Sequence, residues 1–178
     1  MNSDPWAQSS WGQTSAPILT YSVVQLYQIT DGNHFMCGSR RGYWKFPYLV
    51  KNVIETQEKT RAEFIVIEKA ASGPALLEVL CEHYPAKIRQ RLLQPWTPKH
   101  SKEDRMAKAM VLVEAGRVFL PESAEWLPHL ITELQEFPAR LNDDQVDALS
   151  QAVDFFRRFQ TSRYNPSYKG GGRVICTW

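Results

Sequence analysis

The stretch Glu63-Phe64-Ile65-Val66-Ile67-Glu68-Lys69-Ala70-Ala71-Ser72-Gly73-Pro74 decides the fold. Its first six residues form a short apolar run of the kind found in a central strand covered on both faces. A small-residue turn follows at 70–73. Pro74 then opens a helix predicted to reach Tyr84, with proline at a position the first helical turn tolerates. Strand, tight turn and helix in succession argue for an α/β domain.

The flanking segments agree. Residues Tyr21 to Thr30 (YSVVQLYQIT) are rich in β-formers, and Asp31-Gly32-Asn33 supplies a hairpin turn into a second strand from His34 to Ser39. Phe46 to Glu58 has helical spacing, with Leu49, Val50, Val53 and Ile54 on one side. Downstream, Lys87 to Gln94 reads as another strand, ending at Pro95-Trp96-Thr97-Pro98. Ser101 caps a helix to about Ala115, Gly116 closes it, and Arg117 to Leu120 forms a brief strand. A further helix from Glu125 to Phe137 is cut off by Pro138, and Asn142 caps a last helix reaching about Phe159. Residues 1–20 are expected to be irregular or an incomplete first strand, 20–160 the folded domain, and 161–178, with Lys169-Gly170-Gly171-Gly172-Arg173, a flexible tail. The expectation is a three-layer α/β domain.

At 178 residues the chain is long enough to bury one proper core. Lys plus Arg number 21 against 19 for Asp plus Glu, so any nucleic-acid surface must be local. Cys37, Cys81 and Cys176 are odd in number and widely spaced, which fits free thiols in a reducing compartment. There is no membrane-length apolar run and no signal-peptide pattern, so a soluble, cytoplasmic protein is expected. His34, His83, His100 and His129 have no metal-ligand spacing.

The chemistry gathers in Asn142-Asp143-Asp144-Gln145-Val146-Asp147-Ala148-Leu149, where three carboxylates fall within five positions. Like charges this close repel, and a hard divalent cation would relieve them. Asp144 and Asp147 are three apart and share a helix face, whereas Asp143 points elsewhere and would support the site or cap the helix. The same residues would also serve as an ordinary acidic helix start. Glu68 is the second acid, at the carboxyl end of the apolar strand, where ligand sites of α/β sheets cluster. A strand-end Glu brought to an acidic helix head would supply the oxygen ligands of a two-metal phosphodiester-cleaving site.

Several runs occur in an order that resembles a known family. They are Ile67-Glu68-Lys69-Ala70-Ala71-Ser72-Gly73, then Lys102 and Arg105, then Glu114-Ala115-Gly116-Arg117-Val118-Phe119-Leu120-Pro121. Trp126, Glu133-Leu134, Phe137-Pro138 and the acidic run 142–149 follow. Over roughly 20–155 they resemble the C-terminal nuclease domain of tailed-phage large terminase subunits. The resemblance implies an RNase H-like fold related to RuvC-type resolvases, with a central mixed sheet flanked by helices. It also implies one or two Mg²⁺ or Mn²⁺ ions and cleavage of concatemeric DNA during genome packaging in the bacterial host cytoplasm. The implied partners are double-stranded DNA, a terminase ATPase domain, the small terminase subunit and the portal. Carried over by position, Glu68, Asp144 and Asp147 are the catalytic and metal-binding acids, with Asp143 in support.

The family also has an Asp on its first, central strand, in a Ser-Trp-Asp-Thr-Ala-like stretch. Here Ser10-Trp11-Gly12-Gln13-Thr14 puts Gly12 at that position, and Asp4 is a rival match with only three residues before it. Loss of that ligand would leave a catalytically degenerate, prophage-derived domain that keeps the fold and weak DNA binding. A RuvC-like resolvase or transposase relative, which shares the acidic geometry, is a third reading, against which the run from Glu114-Ala115-Gly116-Arg117-Val118 to Phe137-Pro138 argues. No GxxxxGK[ST] phosphate loop occurs, so the expectation is a nuclease domain without its motor, whether excised, separately encoded or a prophage remnant. Candidate DNA contacts are Arg40, Arg41 and Lys45 near Tyr43 and Trp44, then Lys99, Lys102 and Arg105, then Arg157, Arg158 and Arg163. Each cluster would equally form a solvated charged face.

Overall fold

The structure is a computed structural model that describes residues 21–139, 143–163 and 172–177, with side chains of the last helix described to Arg157. Asp4, Gly12, Asn142 and the side chains of Arg158 and Arg163 lie outside the described residues. Two strands open the described chain, β1 (Ser22–Thr30) and β2 (Asn33–Gly42), paired antiparallel. Their turn is the one expected at Asp31-Gly32. Both residues have positive φ, 51° and 78°, the backbone of a type I′ turn whose twist matches that of the strands it joins.

Helix α1 (Phe46–Thr60) turns its Leu49 and Val53 onto the sheet and ends at Arg61, in the left-handed conformation. Strand β3 (Phe64–Glu68) follows, buried except at Glu68, then α2 (Gly73–His83). The backbone between them is tight. A Cβ at Gly73 would overlap the carbonyl oxygen of Glu68, so only glycine lets the helix start this close to the strand end.

The strand expected from Lys87 to Gln94 is instead a short helix, α3 (Ala86–Leu92), followed by β4 (Leu93–Trp96). Ala, Lys, Arg, Gln and Leu all favour helix, and the alternation of a half-buried strand is absent because 86–91 are exposed. Helix α4 (Lys102–Glu114) is capped by Ser101, whose hydroxyl accepts the Asp104 N–H at 3.1 Å. Strand β5 (Val118–Phe119), α5 (Leu127–Glu136) and α6 (Asp144–Arg163) complete the expected order.

The largest correction is at the C-terminus. The expected flexible tail contains β6 (Gly172–Thr177), which sits at the centre of a six-stranded mixed sheet ordered β4-β3-β6-β1-β2-β5. It pairs antiparallel with β1 and parallel with β3. Its Val174-Ile175-Cys176 core is a short β-forming run that the preceding glycines concealed, and all three residues are buried. The folded domain therefore runs past 160 to at least Thr177.

Three layers result. Leu49, Val53, Leu76 and Leu80 from α1 and α2 pack against Ile65, Ile67 and Ile175 on one face of the sheet. Leu149, Ala152, Phe155 and Phe156 from α6 pack with Tyr27, Val66, Val174 and Cys176 on the other. A third cluster, Met106 and Ala109 with Val146 and Val153, joins α4 to the outer side of α6. Each large apolar side chain buried this way contributes on the order of 1.5–3 kcal/mol. Among the described residues no helix is long and apolar enough to cross a membrane.

Candidate active site

Asp143, Asp144 and Asp147 gather at the start of α6. Asp144 and Asp147 occupy the first turn of α6, where the helix dipole favours carboxylates. Helix α4 supplies their cations. The Lys102 ammonium donates to Asp143 at 2.7 Å and lies 3.6 Å from Asp147. Arg105, almost fully buried, pairs with Asp147 and donates to the His100 carbonyl at 2.8 Å. Burial works against the Lys102 charge, but its bond to Asp143 and the charges of Asp147, Asp143 and Asp144 outweigh it and raise its pKa. Lys102 and Arg105, expected to contact DNA, thus have their charges directed first at the acids.

Asp144 differs from its neighbours. Among the described residues its carboxylate has no hydrogen-bonded or ion-paired partner. Its pKa is pushed up to about 6, chiefly by burial, with Lys102 opposing and Asp143, Glu133 and Asp147 adding to the rise. A half-buried carboxylate with three acidic neighbours fits a hard cation, because such a cation removes the penalty of ionisation. Asp144 and Asp147 are the side chains that could hold such an ion, with Asp143 beside them, although Asp147 is already paired with Arg105.

Glu68 is held elsewhere. Its carboxylate accepts Gln151 Nε2 at 3.1 Å. Gln151 follows Asp144 by seven residues, two turns or about 10 Å along the axis of α6. Among the described residues no group of three or more His, Cys, Asp or Glu side chains is placed to hold a metal ion. Glu68 faces α6 from the sheet, whereas Asp143 and Asp147 pair with α4, so this arrangement does not bring the strand-end acid and the acidic head together.

Sequence reasoning missed the polar network that anchors the acidic head. Glu133 of α5, matched above only as part of a run, is fully buried and pairs with Arg41. It also accepts the Gln145 backbone N–H at 3.0 Å and Gln145 Nε2 at 2.9 Å. Ser39 Oγ donates to Gln145 Oε1 at 2.9 Å, Gln25 Nε2 to the Gln145 carbonyl at 3.1 Å, and the Tyr27 hydroxyl to Gln25 Oε1 at 2.6 Å. One residue, Gln145, therefore ties the first turn of α6 to both β1 and β2. A Glu nine residues before an Asn-Asp-Asp run gives no local hint of this, since its partners are 12 and 92 residues away.

The basic candidates separate. Arg41 turns to Glu133 of α5, while Arg40 points to the opposite face and donates to Asn52 of α1 at 3.3 Å, as period-two alternation requires. Lys45 and Lys99 are exposed. Arg157 lies 3.5 Å from Asp154, thirteen residues and about 20 Å along the helix from Asp144.

A comparison with curated proteins and one with solved structures return no match. A comparison with protein families does. Residues 43–155 match the model described as the terminase RNaseH-like domain, from the end of the hairpin through the acidic head to the core-facing stripe of α6. That span is well over half of the chain and contains Glu68, Glu133, Asp144 and Asp147, so the chain belongs to the terminase RNaseH-like domain family.

Proposed function

We propose that this chain is a DNA endonuclease domain of the large terminase subunit type, which cuts concatemeric DNA during genome packaging. The observation that carries this reading is the half-buried Asp144 carboxylate, without a partner among the described residues and set beside Asp143 and Asp147. A magnesium or manganese ion would be held by Asp144 and Asp147, with Asp143 in support; Glu68, expected as the ligand from the strand side, is bonded to Gln151 and would have to leave it to join them. Bound there, it would supply a water activated for attack on phosphorus and neutralise the charge of the leaving oxygen.

The chain's own residues do the rest. Arg105 fixes the Asp147 carboxylate, and Lys102 balances the charge of the head while remaining half exposed to an incoming phosphate. Glu133 and Gln145 hold the first turn of α6 against the sheet, so the acids start from a set position. Phosphate contacts of this kind position a backbone and read little sequence. The terminase ATPase domain, the small subunit and the portal are the partners this role implies, in the cytoplasm of a bacterial host.

A plasmid-nicking assay with Mn²⁺ tests the proposal. Nicking by the parent that disappears in Asp144→Ala supports it, and nicking that persists in Asp144→Ala overturns the assignment of the site.

A second reading, a degenerate domain that keeps the fold and weak DNA binding, draws on two observations. Glu68 is engaged by Gln151, and the central strands β1 and β6 contain no Asp or Glu. Silence of the parent, with nicking gained in Gly12→Asp, would favour it.

A further inference from the structure

Beyond the acids, an aromatic stack stands at the edge of the site. The rings of Tyr21 and Tyr43 lie 3.8 Å apart at an interplanar angle of 27°. The Arg41 guanidinium sits 4.6 Å from the Tyr21 ring centroid. Arg41 pairs with Glu133, and Glu133 accepts the backbone N–H of Gln145, the residue after Asp144. An unbroken line of contacts thus runs from the Tyr43 ring to the head of α6.

Tyr43 is nevertheless 50% exposed. One ring is already stacked beneath it, and Lys45 is exposed two residues on. A prestacked aromatic held half in water two residues from an exposed cation is what a nucleotide requires: a flat π surface for the base and a positive charge for its phosphate. Bases in an intact duplex are stacked on each other and offer only their edges, so such a platform accepts only a base that has left the stack.

We propose that Tyr43 is a stacking platform for an unpaired base of the DNA strand presented to the acidic head, giving the chain a preference for frayed or single-stranded DNA over intact duplex. This rests on the DNA-cutting reading above for the identity of the ligand, but not on cleavage. The aromatic face, and not the hydroxyl, does the binding.

The test is fluorescence anisotropy of the full chain in EDTA, where no cutting occurs, with a labelled oligothymidylate and a labelled blunt duplex of equal length. Tyr43→Ala is expected to weaken oligothymidylate binding roughly tenfold and to leave duplex binding within about twofold, as loss of one stacked base predicts. Tyr43→Phe is expected to bind like the parent. Melting temperatures of the variants are measured alongside, and if the alanine variant does not fold, Tyr43→Leu replaces it as an apolar side chain without a π face. Unchanged oligothymidylate affinity in Tyr43→Ala, an equal loss on both DNAs, or a Tyr43→Phe variant as weak as Tyr43→Ala would each overturn the platform. A parent that binds neither DNA overturns the DNA reading itself, whereas binding without nicking in Mn²⁺ separates the platform from catalysis.

Discussion

Glu68 Oε2 accepts a hydrogen bond from Gln151 Nε2 at 3.1 Å, while the other amide atom of Gln151, Oε1, is buried without a partner among the described residues. The pair links the end of the central β3 strand to the middle of α6. It also holds the strand-end carboxylate two turns below Asp144.

Gln151→Leu is therefore expected to change stability by less than about 1 kcal/mol. The lost bond to a charged group is offset by removal of an orphaned buried acceptor. Gln151→Glu sets a second carboxylate against Glu68 in a buried position and is expected to cost about 3–5 kcal/mol. Urea denaturation midpoints of the two variants check this, and a leucine variant as damaged as the glutamate variant would contradict it.

Glu133→Ala removes the carboxylate that Arg41 and Gln145 share. Leaving Arg41 without its buried partner is expected to cost about 3–5 kcal/mol. A double-mutant cycle with Arg41→Met should give a coupling energy well above that of an exposed ion pair, which is about 0.2–1 kcal/mol. Additive losses would mean the two side chains act separately.

Asp144 is held neutral more readily in the folded protein than in the unfolded chain, because its pKa is pushed up to about 6 from 3.8. Its stabilising contribution is present below pH 3.8 and is lost as pH rises through 6. At pH 7 the ionised side chain costs stability, by about 1–2 kcal/mol once solvent screening is allowed for. Asp144→Asn is thus expected to raise the melting temperature at pH 7. Added Mg²⁺ should stabilise the parent but not the variant, as followed by thermal denaturation.

His34 titrates in the opposite sense. Burial, followed by the Arg117 charge, lowers its pKa from 6.5 to about 4, and its Nδ1 has no partner among the described residues. The unfolded chain binds the proton more tightly, so the stability is fully present above pH 6.5 and is lost as pH falls towards 4, by up to about 3 kcal/mol. His34→Leu keeps an apolar contact with Phe156 and should flatten the stability profile between pH 6.5 and 4. An unchanged profile would show that His34 is not the group responsible.

Gly73→Ala is expected to destabilise by about 1–3 kcal/mol or to shift the turn after β3, because the new methyl overlaps the Glu68 carbonyl oxygen. Denaturant midpoints measure the cost.

What the sequence determined by itself was local. The period-two hairpin with its Asp31-Gly32 turn, the apolar β3 run, the stripe of α1 and the acidic start of α6 are each set by neighbours a few residues apart, so they could be read directly. Order and spacing of short runs were enough to reach the family. Tertiary structure decided the remainder. Val174-Ile175-Cys176 is too short, and too close to a glycine run, to announce a central strand until β1 and β3 offer it edges on both sides. The helix over 86–92 forms because the exposed, largely charged and polar side chains of 86–91 gain nothing from a sheet face there. Above all, the partners of the acids come from distant elements: Lys102 and Arg105 from α4, Gln151 from two turns down α6, Arg41 from β2 for Glu133. Pairing between charges depends on where the folded backbone puts them, and one-dimensional spacing does not carry that information.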